Sequence, residues 1–174
     1  MKKHKEMAVF LAVLAVFAVV VAARKIWVSA ELRARRYTMA DMRSVAIALE
    51  DYAKANGGLY PAVARMSPSS TVGEIHQSEW RVPPAWPVPA DQSVGSLTDP
   101  LVPRYIQWLP KADRWGNPFQ FVVSEDRMHY TLLSLGSDGK LDGRHKRVWD
   151  EREFWRDIVL SDGNFISFPD GWSM

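Results

Sequence analysis

The stretch SLGSDGKLDG, from Ser134 to Gly143, holds the residue types that point most directly to a ligand. Oxygen donors separated by glycines let a tight loop turn carboxylates and carbonyls toward one hard cation, and calcium takes six to eight such oxygens. An EF-hand register does not fit. Counted from Asp138, Lys140 falls on an acidic place and Trp149 on the place of the bidentate glutamate. The same residues also serve as plain turns, since Asp138-Gly139 and Asp142-Gly143 are pairs that turns favour. Both readings stand at the level of the residues. Catalytic constellations are poor: the sequence has no P-loop, HExxH or GxSxG, and His4, His76, His129 and His145 lie far apart. Glu125, Asp126, Asp150, Glu151 and Glu153 could supply acid–base pairs, but charged loop clusters are usually solvated faces, so no enzyme is expected. With no cysteine there is no thiol chemistry, disulfide or thiolate metal site. A net charge of +2 gives no nucleic-acid surface, and no small-molecule substrate is expected.

These residues must be positioned by the elements around them, and the largest of those is at the other end of the chain. Met7 to Ala23 (MAVFLAVLAVFAVVVAA) is uninterruptedly apolar, and helical periodicity continues to Asn56, where Gly57, Gly58 and Pro61 stop it. One continuous helix would be on the order of 75 Å long, more than twice a bilayer core of roughly 30 Å. Only its first part can therefore lie in lipid. A signal peptide cleaved near Val21-Ala22-Ala23 is the rival reading; the seventeen-residue length favours a retained anchor. Lysines 2, 3 and 5 face Arg24, Lys25, Arg33, Arg35 and Arg36 across the run, and positive-inside counting alone would leave the large domain in the cytoplasm. Trp27 suits a headgroup zone. Beyond it Val28, Leu32, Met39, Met42, Val45, Ala46, Leu49, Tyr52 and Ala53 recur at helical steps as a core stripe, with Glu31–Arg35 and Glu50–Lys54 expected as exposed ion pairs.

The rest divides by texture. Residues 61–110 are rich in proline and tryptophan and read as irregular, with at most one helical turn between Leu97 and Leu109. A PxxP docking segment is conceivable at Pro84 to Pro87. Residues 111–174 read as β: Phe119–Val123 with His129–Ser134 forms one hairpin, and Asp157–Leu160 with Asn164–Phe168 forms another through Asp162-Gly163. Gly136 to Arg156 is expected as a polar loop. The domain plan is a head at 1–6, a transmembrane helix at 7–23, a soluble helical half at 24–60, then the two later regions. The fold class is α+β, a long helix packed on a small antiparallel sheet.

Taken together, ALEDYAKANGGLYP (Ala48–Pro61), DPLVPRYIQWLPKADRWGNPFQF (Asp99–Phe121), YTLLSLGSDGKLDG (Tyr130–Gly143) and the later Asp157-Ile158 resemble the major, G-type pseudopilins of type II secretion systems, and more broadly type IV pilin-like proteins. The resemblance implies a single-pass inner-membrane subunit with a periplasmic domain. Its N-terminal helix would associate with further copies or other pseudopilins, and with inner-membrane components of the secretion system. It also implies calcium at Asp138, Asp142 and Asp157, with backbone oxygens from Leu135 or Ser137. Two features depart from the family. Arg144–Arg156 is longer and more basic than the family loop, and no glycine precedes the apolar run, whose only nearby acid, Glu6, lies before it. A membrane-tethered, non-polymerising pilin-like module is therefore the alternative.

Overall fold

A computed structural model describes residues 2–62, 93–124, 126–142 and 148–170. The Pro84–Pro87 segment, His76, Glu125 and the basic stretch 143–147 lie outside the described residues. Helix α1 runs unbroken over Lys2–Ala55, 54 residues. Its end is built as the glycines demand. Gly57 and Gly58 take φ of 69° and 85°, and the Gly58 amide returns to the Ala53 carbonyl at 2.8 Å, the six-to-one bond of a Schellman cap. From Phe10 this helix is long and apolar enough to cross a membrane, and its most apolar window is not covered by any other described part of the chain.

Four short strands and a two-residue one follow. They are β1 (Gln120–Val123), β2 (Tyr130–Ser134), β3 (Val148–Trp149), β4 (Ile158–Ser161) and β5 (Asn164–Pro169), in the spatial order β1-β2-β4-β5-β3. All neighbours are antiparallel except β3 with β5. Both expected hairpins are present. The second closes in two residues, with Asp162 at φ 46° and Gly163 at φ 77°, the paired positive angles that match the twist of adjoining strands. The parallel edge strand β3 was not expected within the polar loop. Trp149 explains it, since its ring is buried and its Nε1 donates to Ser167 Oγ at 3.3 Å on β5. In the irregular region a 3-10 turn at Val94–Leu97 leads into a single-turn helix, α2 (Thr98–Leu101), and both bury their leucines.

The soluble half of α1 and the sheet share one core. Met39, Met42, Val45, Ala46, Leu49 and Ala53 pack with Phe121, Val123, Tyr130, Leu132, Ile158, Leu160 and Phe165. Strand alternation sends Val122, Leu133 and Val159 to the opposite face, where Leu135, Leu141 and Ile166 cover them. The exposed ion pairs expected on α1 do not form. Arg35 is 2% exposed and lies over the rings of Trp149 and Phe154, 4.3 and 4.8 Å from their centroids. Its Nη1 donates to the Glu151 carbonyl, while Nε and Nη2 have no hydrogen-bond partner. Burial lowers its pKa to about 10. Glu31 instead accepts from Trp115 Nε1 at 2.6 Å, and Glu50 accepts from the Tyr60 hydroxyl at 2.9 Å while Lys54 turns to Asp51. For Glu31, Arg35 and Glu50 a partner further along the chain replaces the one a turn away, whereas Lys54 exchanges it for a neighbour on its own helix.

Candidate functional site: the Leu135–Asp142 loop and Asp157

The loop after β2 lies on the outer face of the sheet because its two leucines do. Leu135 and Leu141 pack over Val122, Leu133 and Val159, which leaves the polar residues between them arched across the strand ends. Two glycines make the arch possible. Gly136 has φ 64°, and a Cβ there would meet the Arg156 carbonyl oxygen at 2.6 Å; Gly139 has φ 65°, and a Cβ would meet Asn117 Oδ1 at 2.8 Å. Only glycine fits both angle and space.

The turn Asp113–Asn117 holds the loop from one side. Asp113 is buried, and its Oδ1 accepts from the amides of Trp115 (3.0 Å) and Asn117 (2.8 Å), while its Oδ2 accepts from Ser134 Oγ at 2.7 Å. Desolvation still raises its pKa, against the lowering effect of those bonds. Asn117 Nδ2 in turn donates to the Gly136 carbonyl at 2.7 Å. From the other side the Ser137 amide donates to the Phe154 carbonyl at 3.0 Å. Asp113 was not among the expected site residues. Its signal was available, an aspartate ahead of a Gly-Asn turn, the pattern in which a side chain caps its own backbone.

Of the expected ligands, the structure brings Asp142 and Asp157 together. The Asp142 amide donates to Asp157 Oδ2 at 2.8 Å. Asp157 is fully buried at the foot of β4, and its pKa rises to about 8, first through desolvation and further through the charges of Asp142 and Asp138, against the lowering effect of the Asp142 amide bond and of Arg156. Asp142 is also raised, chiefly by burial. Arg156 stands 3.7 Å from Asp142 Oδ2 and 3.4 Å from Glu153 Oε2. Asp138 is exposed and caps its own turn, its Oδ1 accepting from the Lys140 amide at 3.0 Å. Leu135 contributes its side chain to packing, and Ser137 is exposed.

The three aspartates thus share an electrostatic neighbourhood without converging. Among the described residues no three acidic or imidazole side chains form a ready metal cluster. The chemistry of the donors nonetheless suits a hard cation: two carboxylates, both raised chiefly by desolvation and the charge of Asp142 further raising Asp157, next to a glycine-shaped loop. The other expected acids are used locally. Asp126 Oδ1 accepts from the Met128 amide, Asp150 Oδ1 from the Arg152 amide, and His129 pairs with Asp162 at 3.0 Å. Compared with protein-family models, curated proteins and solved structures, the chain matches none.

Proposed function

We propose that this chain is a membrane-anchored structural subunit of a pilin-like assembly, of the kind that builds the periplasmic pseudopilus of type II secretion. The observation that supports it most is α1 itself. One helix is bare and apolar on all sides toward its N-terminus and forms the core of a small α+β domain toward its C-terminus, so copies can bundle through one half while displaying the other. Inner-membrane anchoring with a periplasmic domain belongs to the same reading. The chain has no cysteine, so pairs introduced at Val13 and Val20 can be cross-linked in membranes without background. A ladder of cross-linked copies and a processed N-terminus by mass are expected. If Met1–Glu6 stay attached and no ladder forms, the accessory-module reading replaces this one. That second reading is favoured by the absence of a glycine ahead of the run.

Calcium belongs to the proposal, held by Asp138, Asp142 and Asp157 with backbone oxygens of Leu135 and Ser137. When bound, the ion supplies positive charge that offsets the mutual repulsion of the carboxylates. The metal-free chain has a definite pH signature. Because the folded pKa of Asp157 lies above its unfolded value, the folded state binds the proton more tightly. The contribution of Asp157 to stability is then greatest below the ordinary carboxylate range, falls as pH rises, and levels off above about 8. Thermal melts in chelator should show this slope, and Asp157→Asn should flatten it. Added calcium should raise the melting temperature most at the alkaline end, where the carboxylates are free of protons. Asp138→Ala should remove that response. Identical melting with calcium and with chelator would leave the loop as turns alone.

A further inference from the structure

The polar turn between β3 and β4 meets α1 at Trp27 and at Arg35, and its lower contact is the one with Trp27. Phe154 is 4% exposed and meets the Trp27 ring edge-on, centroids 5.3 Å apart and planes at 87°. The turn is tied down there by hydrogen bonds and a ring contact. Its carbonyls at Asp150 and Glu153 accept from the amides of Glu153 and Arg156 at 2.9 and 3.1 Å, and the Arg35 guanidinium binds the Glu151 carbonyl and lies over Phe154. The next residue, Trp155, is 47% exposed.

The level of this contact can be placed along the helix. At a rise of about 1.5 Å per residue, the run Met7–Ala23 covers about 25 Å of a hydrocarbon core roughly 30 Å thick. Lipid then reaches to about Ile26, itself 68% exposed, with Arg24 and Lys25 able to extend their ends outward. Trp27 is the next residue, and it opens a headgroup layer about 5 to 7 Å deep. Phe154 lies 5.3 Å from the Trp27 ring and, through Arg35, toward the domain side of it, so a ring contact at Trp27 keeps the lower edge of the turn within reach of that layer. We infer that the Glu151–Arg156 turn rests on the lipid headgroup layer beside the exit of α1, with the Trp155 indole seated among the headgroups. An indole has an apolar body and one polar N–H, which suits that layer. Because acids and bases alternate through the turn, its seat depends on Trp155 and not on anionic lipid. The inference rests on the reading that α1 spans a membrane, and its test separates the two.

Single cysteines introduced at Val16, Trp155 and Asn164 carry a nitroxide in the full chain, reconstituted in phosphatidylcholine vesicles with and without phosphatidylglycerol. Collision with oxygen reports lipid, and collision with a water-soluble nickel chelate reports solvent. The expected order is oxygen-rich at 16, intermediate at 155 with nickel collision several-fold below that at 164, and nickel-rich at 164, in both lipid mixtures. A label at Arg152, with Trp155 kept, guards against misfolding of the Trp155→Cys chain; adding Trp155→Ala should raise nickel collision at 152. Solvent-like behaviour at 155 with a lipid-like label at 16 overturns the inference and leaves the membrane reading intact. Shielding from both reagents at 155 means contact with another copy and also overturns it. Dependence on phosphatidylglycerol overturns the aromatic seat, and nickel access at 16 removes the membrane reading itself.

Discussion

The two halves of α1 have the same backbone and opposite surroundings. Phe10, Phe17 and Val19 are each more than 60% exposed, while Met39, Met42, Val45 and Leu49 are at most 1% exposed. Helix propensity does not separate them, since both are rich in alanine and both are regular. What separates them is the distribution of apolar residues around the axis. A helix apolar on every side has no side left for water and must be wrapped by lipid or by its own copies; a one-sided stripe can be satisfied by a single sheet. The Phe121–Phe165 face of the sheet takes that stripe, and nothing in the described chain takes the first half.

The largest effect that should break this contrast is a cavity in the packed half. Leu49→Ala removes a fully buried side chain from the shared core and should destabilise the domain by roughly 2–5 kcal/mol. The matched change Val16→Ala, at a bare position, should leave the melting temperature of the domain unchanged. Thermal melts of both variants in detergent check it, and equal losses would mean that the two halves are not energetically separate. A charge makes the opposite test. Val16→Arg places a cation at the middle of the apolar run and should cost roughly 2.5–3.5 kcal/mol of insertion, moving protein out of the membrane fraction without changing the melt. Ala40→Arg, on the exposed side of the soluble half, should change neither.

Much of this was legible in the sequence because it is local. The run, the stripe, the glycine stop and the Asp162-Gly163 hairpin each follow from neighbours a few residues apart. What was not legible depends on distance. Arg35 reads as the surface partner of Glu31, but Trp149 and Phe154, more than 110 residues later, bury it. Strand β3 is two residues in a charged stretch, below any periodicity, and exists only because β5 offers an edge. In the candidate site the aspartates could be named from the loop and from family resemblance. The Asp142–Asp157 contact and the Asp113–Ser134 bond that sets the arch come from folding the outer sheet face. The signal for Asp113 was present, but it belongs to a turn whose role appears only when Asn117 reaches Gly136.

The smallest effect sharpens where one half of α1 ends and the other begins. Glu31 is the residue nearest the junction, four past Trp27, whose side chain is bonded to the domain, through Trp115 Nε1 at 2.6 Å. A hydrogen bond to a charged group contributes about 1.5–3 kcal/mol, and Gln keeps the acceptor while losing the charge, so Glu31→Gln should cost about 1 kcal/mol. Trp115→Phe removes the donor and part of the packing against the core, so alone it costs more. In a double-mutant cycle the two losses should fall short of additive by about the value of the bond. That coupling would fix the start of the domain at Glu31, one turn above the aromatic contact of Trp27 with Phe154. Strict additivity would instead leave Arg35, whose cation lies over two rings, as the first polar tie of α1 to the domain, two turns beyond Trp27.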